Sequence, residues 1–162
     1  MYKFNFEIHP ATELEPTASL FYLSISLINH TMGEDINLAK LVLEKIDQLD
    51  WFAENEAAIR NDKWPDICND AYSVAMGINQ FYDRVDPDSC SDEIEKMYKY
   101  RASHALRFAF RGQDLPDIVI AANSSGHEVS CAEDASTYKY DVDINSLFDE
   151  VDNGKKKLER LI

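Results

Sequence analysis

The first residues of the chain alternate between apolar and polar, which is the pattern of a β-strand with one buried face. The apolar positions are Tyr2, Phe4, Phe6 and Ile8, and the polar positions between them are Lys3, Asn5 and Glu7. This pattern predicts a strand that ends at Pro10. A second alternation over residues 20–27 predicts another strand, with a helix as the alternative for that segment.

After Gly33 the apolar residues recur every three or four positions, which is the period of a helix with one buried face. This spacing runs from Ile36 to Leu49 and predicts a helix, with Asp35 as its N-cap. Residues 51–60 continue as a short helix or as a bent extension of the first one.

Two further helices are predicted in the middle of the chain. The first runs from about residue 67 to Tyr82 and carries Ala71 on its apolar face. The second begins at Ser91, where two acidic residues complement the helix dipole, and its pattern extends to Gly112. The segment between the two helices is rich in turn-forming residues around Pro87 and predicts a loop.

The last third of the chain returns to short strands and ends in a helix. Residues 118–121 and 128–131 are predicted strands joined by the turn Asn-Ser-Ser-Gly, and residues 138–144 alternate again. Residues 145–161 predict an amphipathic helix, weakened by Gly154. The order of strands and helices predicts an α+β fold, with helices packed on a small antiparallel sheet.

The composition fits one folded domain that spans residues 1–162. Hydrophobic residues make up 45% of the chain and aromatic residues 11%, which excludes a disordered chain. Five glycines and five prolines leave no room for a long flexible linker. A chain of this length buries enough surface to fold without a metal or a disulfide.

The net charge narrows the range of partners. Thirty acidic residues oppose sixteen basic ones, which gives a formal net charge of −14. Such a surface repels phosphate backbones and anionic membranes, so neither nucleic acid nor a membrane is an expected partner. It attracts basic proteins and speeds encounter with them, although acidity also serves solubility alone.

The cysteines and the first residues indicate the compartment. The three cysteines are an odd number and none forms a C-x-x-C pair, which argues against a disulfide framework and a zinc ribbon. The first ten residues have no apolar run of signal-peptide length, and no stretch approaches the roughly 20 apolar residues of a membrane span. We therefore expect a cytoplasmic protein.

One short motif resembles the opening of a calcium-binding loop. Asp141, Asp143 and Asn145 follow the spacing D-x-D-x-N, but Ser146 stands at the glycine position and Asp152 at the closing glutamate. The pattern favours a strand whose aspartates face solvent. We therefore expect neither a metal nor any other cofactor.

A basic group stands out against the acidic background. His104, Arg107 and Arg111 are spaced to share one face of the predicted helix, where they could grip an anion or form ion pairs with nearby acids. Ion pairing is the favoured interpretation. The catalytic signatures of hydrolases, P-loop proteins and zinc enzymes are all missing, so the sequence does not predict an enzyme.

Residues 100–131 carry a characteristic order of residues. The positions concerned are His104, Leu106 and Gly112, then Pro116, Asp117 and Ile118, then Glu128, Val129 and Ser130. This order resembles a pattern in small acidic immunity proteins of bacterial toxin systems, although Cys131 stands where that pattern has an aromatic residue. The resemblance covers about a fifth of the chain. It implies a cytoplasmic protein that binds and blocks a cognate toxin domain without catalysis.

The charge independently favours the same hypothesis. A toxin that cuts nucleic acid must present a basic surface, which an acidic protein can cover without any catalytic group. Residues 133–152 are rich in acidic residues and also carry tyrosines. The predicted interface lies in this segment and comprises Glu133, Asp134, Tyr138, Tyr140, Asp141 and Asp143. The alternatives are a small hydrolase or transferase with a site assembled from dispersed residues, and an adaptor subunit of a larger complex.

Overall fold

A computed structural model describes residues 1–11, 20–43, 46–65, 71–86, 88, 90–134 and 136–161. Its strands are β1 (Lys3–Pro10), β2 (Phe21–Asn29), β3 (Glu34–Leu43), β4 (Val119–Asn123), β5 (Gly126–Glu133) and β6 (Ser136–Asp141). Its helices are α1 (Asp50–Asn61), α2 (Val74–Arg84), α3 (Ser91–His104) and α4 (Ile144–Leu161). All strand pairs within the sheets are antiparallel, and the predicted α+β class is confirmed.

The chain forms two compact units, which we describe one at a time. The first unit consists of Met1–Glu54 and Val142–Ile162, and the second consists of Asn55–Asp141. Each unit contains one three-stranded sheet, where the sequence predicted a single small sheet. The prediction of one domain over residues 1–162 stays a prediction.

The first unit is a sheet of order β1-β2-β3 with α4 packed against β1. The predicted strands at residues 2–8 and 20–27 and the last helix are confirmed. Side chains of α4 also protect the edge of the sheet: the backbone N–H of Phe4 donates to Ser146 Oγ at 2.9 Å, and that of Phe6 donates to Glu150 Oε2 at 3.0 Å. These bonds satisfy edge groups that would otherwise be open to another strand.

Most of the segment predicted as a helix over residues 36–49 is instead the strand β3, which also contains the predicted N-cap Asp35, and a short 3₁₀ helix lies at Ile46–Leu49. The register of β2 with β3 shifts between Ile25 and Ser26, so that Ile25 faces Ala39 while Ser26 faces Asn37. This bulge leaves one extra residue in β3 and places Ile36 and Ala39, three positions apart, on the same face of the sheet. A bulged strand therefore shows the spacing of a helix, which explains the wrong prediction.

The second unit packs α2 and α3 on the sheet β4-β5-β6. The predicted strands at 118–121 and 128–131, their tight turn and the following alternating strand are confirmed. The core between helices and sheet consists of Val74, Ala75, Ile78, Phe81, Met97, Tyr100, Ala105, Val119 and Ala121.

Helix α2 begins later than its apolar pattern predicted. Ala71 lies in a bend outside the helix, and residues 66–70 lie outside the described part of the chain. Ser73 is the N-cap, because its side chain accepts a hydrogen bond of 3.2 Å from the N–H of Met76. A side-chain cap therefore sets the start of the helix after the start of the apolar pattern.

Helix α3 starts at Ser91 as predicted but stops at His104 rather than near Gly112. Ala105 leaves the helical conformation to form a bridge with Val119, and the N–H of Leu106 donates to the carbonyl of Ile118 at 2.9 Å. Pairing with the sheet overrides the local helical preference, and a short 3₁₀ turn follows at Leu106–Phe108.

Candidate functional site

The predicted interface centres on the hairpin formed by β5 and β6. Glu133 and Asp134 are exposed at the turn end of this hairpin, and Asp141 is exposed at the far end of β6. One carboxylate oxygen of Glu133 accepts a hydrogen bond of 2.7 Å from the N–H of Asp117. The three carboxylates therefore lie at the two ends of β6 rather than in one cluster.

The two tyrosines of the predicted interface lie largely against the sheet. Tyr138 pairs with Cys131 and Tyr140 with Val129, so both rings share a face with fully buried residues. Their ring centroids are 5.3 Å apart and both side chains are half-buried. Burial, with the nearby Cys131, Tyr140 and Glu133 adding to it, raises the pKa of Tyr138 far above its ordinary value. Packing on the sheet thus occupies much of the ring surface that a partner would contact.

Asp143 belongs to the first unit and serves the start of α4. Its carboxylate accepts a hydrogen bond of 3.1 Å from the N–H of Asn145, and its carbonyl accepts one of 2.6 Å from Ser146 Oγ. The calcium-like motif therefore spans the end of a strand and the first turn of a helix. No group of three or more histidine, cysteine or acidic side chains among the described residues could hold a metal ion.

A cavity of the second unit lies beside the N-terminus of α2. Its volume is about 420 Å³, and its described lining includes Asp62, Trp64, Tyr72, Glu128 and Lys139. Glu128 is 1% exposed, and its oxygens accept hydrogen bonds from the N–H of Val74 at 2.7 Å and from Asn123 Nδ2 at 2.9 Å. The carboxylate is thus already engaged in holding the start of α2 to β5.

The residues of the immunity-protein-like pattern build the second unit. His104, Glu128 and Ser130 are buried polar residues, and the Ser130 hydroxyl accepts a hydrogen bond of 3.1 Å from the N–H of Ala75. Asp117 forms an ion pair of 2.6 Å with Arg101. Leu106, Ile118, Val129 and Cys131 are fully buried. This pattern therefore specifies a fold and contributes little exposed surface.

The basic group at the end of α3 does not share one helix face, because the helix ends at His104. His104 is fully buried, whereas Arg107 and Arg111 are exposed. Neither arginine forms an ion pair with a described residue, so the expected ion pairing is not seen in the described part of the chain. The Arg111 guanidinium instead lies 5.6 Å from the centre of the Phe108 ring, at cation–π distance.

The junction of α2 and α3 holds a feature that sequence reasoning missed. An open hollow of about 320 Å³ lies between the end of α2 and the start of α3. We call it the α2–α3 hollow; its described lining is Gln80, Phe81, Arg84, Val85, Asp86, Cys90 and Glu93. The sequence predicted only a loop here, and the meeting of two helix ends places acidic side chains beside an apolar surface.

Comparisons with known proteins identify no functional site in this chain. No protein-family model, curated protein or solved structure matches the chain. Within the part of the chain that the structure describes, no helix is long and apolar enough to cross a lipid bilayer. The candidate sites are therefore the acidic hairpin ends, the cavity beside Glu128 and the α2–α3 hollow.

Proposed function

We propose that this chain is a cytoplasmic immunity protein, which binds a cognate toxin domain with a basic surface and neutralises it by blocking that surface. The observation that carries the proposal is an excess of exposed carboxylates without cationic partners. Asp83, Asp92 and Glu93 are exposed and form no ion pair with another described residue. With a net charge of −14, they create a field that attracts cations from solution.

The chemistry of a nuclease explains why such a field would inhibit it. A nuclease must hold the phosphate backbone of its substrate with lysine and arginine side chains. An acidic protein can occupy the same cationic groups, and its field speeds the encounter. Neutralisation then requires binding alone, with no catalytic group on the inhibitor.

The exposed carboxylates at the hairpin remain part of the proposal. Glu133, Asp134 and Asp141 stay predicted partner contacts, since all three are exposed on the second unit. Tyr138 and Tyr140 would contribute only the edges that packing on the sheet leaves accessible. Asp143 would act from the first unit, where it also caps α4.

A titration distinguishes blocking from enzymatic protection. Nucleic-acid cleavage by a purified candidate toxin domain, taken from a gene that neighbours the one for this protein, is measured against increasing amounts of this protein. A blocking inhibitor should abolish cleavage with a sharp end point at one equivalent. Protection at far below one equivalent would indicate an enzyme that inactivates the toxin, and unaltered cleavage at a large excess would refute the proposed function.

A further inference from the structure

The α2–α3 hollow combines an apolar floor with a charged rim. Phe81, which is 5% exposed, and the half-buried Val85 form part of its floor. Phe81 belongs to the core of the second unit and Val85 packs against that core. The floor is therefore fixed by the fold.

The rim of the hollow carries carboxylates held close to the apolar floor. Asp86 and Glu93 are both exposed and both line the hollow. Asp86 Oδ1 accepts a hydrogen bond of 3.1 Å from the N–H of Asp88, as in an Asx turn. Arg84 also lines the hollow and is the single basic residue among positions 83–95, which contain six acidic ones. Among the described lining residues, two carboxylates therefore oppose one guanidinium, and the surrounding loop and helix start add further acidic residues.

We propose that the α2–α3 hollow receives a long cationic side chain, an arginine or a lysine, from the basic partner. Such side chains lay their methylene stems along apolar surface while the charged head stays at the polar edge. The Phe81 and Val85 floor fits the stem, and the carboxylates of Asp86 and Glu93 fit the head. This inference rests on the proposed function and identifies the surface that performs it.

The hollow brings apolar surface and carboxylates together in one cavity, which the hairpin does not. At the hairpin, the carboxylates sit at opposite ends of β6 and the tyrosine rings pack on the sheet. At the helix junction, apolar floor and carboxylates line one cavity, and exposed tyrosines lie on the same two helices, with Tyr82 36% and Tyr98 52% exposed. Interfaces concentrate binding energy where an anchor enters a pocket beside matched charge.

The test uses the full chain and a hexa-arginine peptide as the probe. The first variant carries Asp86→Asn and Glu93→Gln, which remove two charges at the hollow without changing side-chain size. The matched control carries Asp149→Asn and Asp152→Asn, which remove two charges at exposed positions of α4. Val85→Thr makes the floor polar at nearly constant shape. Calorimetry gives the affinities, and thermal melts verify that each variant is folded.

Cys90 supplies a local readout, since this residue lines the hollow. In a Cys68→Ser background, the rate at which a thiol reagent modifies Cys90 is measured with and without peptide. Cys131 is fully buried, and burial raises the pKa of its thiol, so it should react slowly. Peptide in the hollow should slow the reaction of Cys90.

The outcomes separate this inference from the proposed function. We expect the hollow variant to weaken peptide binding about tenfold, Val85→Thr to weaken it severalfold, and the α4 control to change it less than about twofold. Two outcomes would show that the peptide does not bind in the hollow: Cys90 reacts as fast with peptide as without it, or the control variant weakens binding as much as the hollow variant. Either outcome would leave the proposed function standing. Failure of the peptide to bind at all would overturn the hollow and remove the electrostatic basis of the proposed function.

Discussion

Glu128 and Val74 lie 54 positions apart in the chain, and Glu128 Oε1 accepts a hydrogen bond of 2.7 Å from the backbone N–H of Val74. Val74 is the first residue of α2, where N–H groups lack partners within the helix and the helix dipole favours a negative charge. Lys139 Nζ lies 3.4 Å from the other oxygen of Glu128. A nearly inaccessible carboxylate thus joins a helix to two strands.

We expect Glu128→Gln to lower the free energy of unfolding by roughly 1–3 kcal/mol. The glutamine amide keeps one oxygen that can accept the hydrogen bond from Val74, but it loses the attraction to Lys139. Its NH₂ group would face Asn123 Nδ2 and Lys139 Nζ, which are themselves donors. Urea denaturation near neutral pH measures the change. Asp134→Asn removes an exposed carboxylate from the same hairpin and should change stability by no more than about 0.5 kcal/mol. Equal effects of the two substitutions would show that Glu128 has no special structural role.

His104 should make the stability of the fold depend on pH. Burial lowers the pKa of His104, and the backbone carbonyls of Tyr100 and Ala58 and the charge of Asp62 only partly oppose that effect. The folded protein therefore holds this histidine neutral, whereas the unfolded chain takes up a proton near its ordinary pKa of about 6.5. The resulting stabilisation is complete above that pH and is lost as pH falls through the lower folded pKa.

The measurement compares urea denaturation of the wild type and His104→Gln at pH values between about 7.5 and 5. The variant should be less stable at the upper pH, and the gap should narrow on acidification by at most about 1.4 kcal/mol per pH unit. His30→Gln is the control, because it replaces a histidine at an exposed position. A gap that stays constant or widens on acidification would contradict this account.

Alternation and helical spacing predicted most of the strands and helices, and the errors occur where long-range contacts decide. β3 resembles a helix in sequence because a bulge opposite Ile25 changes the phase of its alternation. α3 ends at His104 because Ala105 pairs with Val119, a partner that no local pattern reveals. The same limit applies to the candidate sites: acidic runs are visible in the sequence, but the hollow exists only where two helix ends meet.

Gly154 shows why a residue that weakens a helix in sequence can be required by packing. A Cβ atom at this position would lie 3.2 Å from Ile8 Cδ1 and 3.4 Å from Leu49 Cδ1. We therefore expect Gly154→Leu to destabilise the fold by about 1–3 kcal/mol through overpacking, despite the better helix propensity of leucine. Asn153→Leu places the same side chain at the exposed neighbouring position and should be nearly neutral. Thermal or urea denaturation compares the two, and a stabilising effect of Gly154→Leu would show that the contact is loose.

The electrostatic character of the proposed complex gives the final prediction. Attraction between a −14 protein and a basic toxin domain acts over distances that salt screens, with a Debye length of roughly 10 Å at 0.1 M ionic strength. The contacts made after docking are screened much less, so salt should act mainly on the association rate. Stopped-flow mixing with the toxin domain should therefore show association slowing by about tenfold or more between about 20 mM and 500 mM salt.

The dissociation rate supplies the internal control for that experiment. Rim charges steer the encounter, whereas a side chain seated in a desolvated pocket governs how long the complex lasts. Neutralising the exposed Asp83 and Asp92 should therefore reduce the salt dependence of association and leave dissociation nearly unchanged. Asp86→Asn with Glu93→Gln should also speed dissociation, because both carboxylates line the hollow. An association rate that does not respond to salt would mean that the acidic surface serves solubility, and recognition would then have to arise from uncharged contacts.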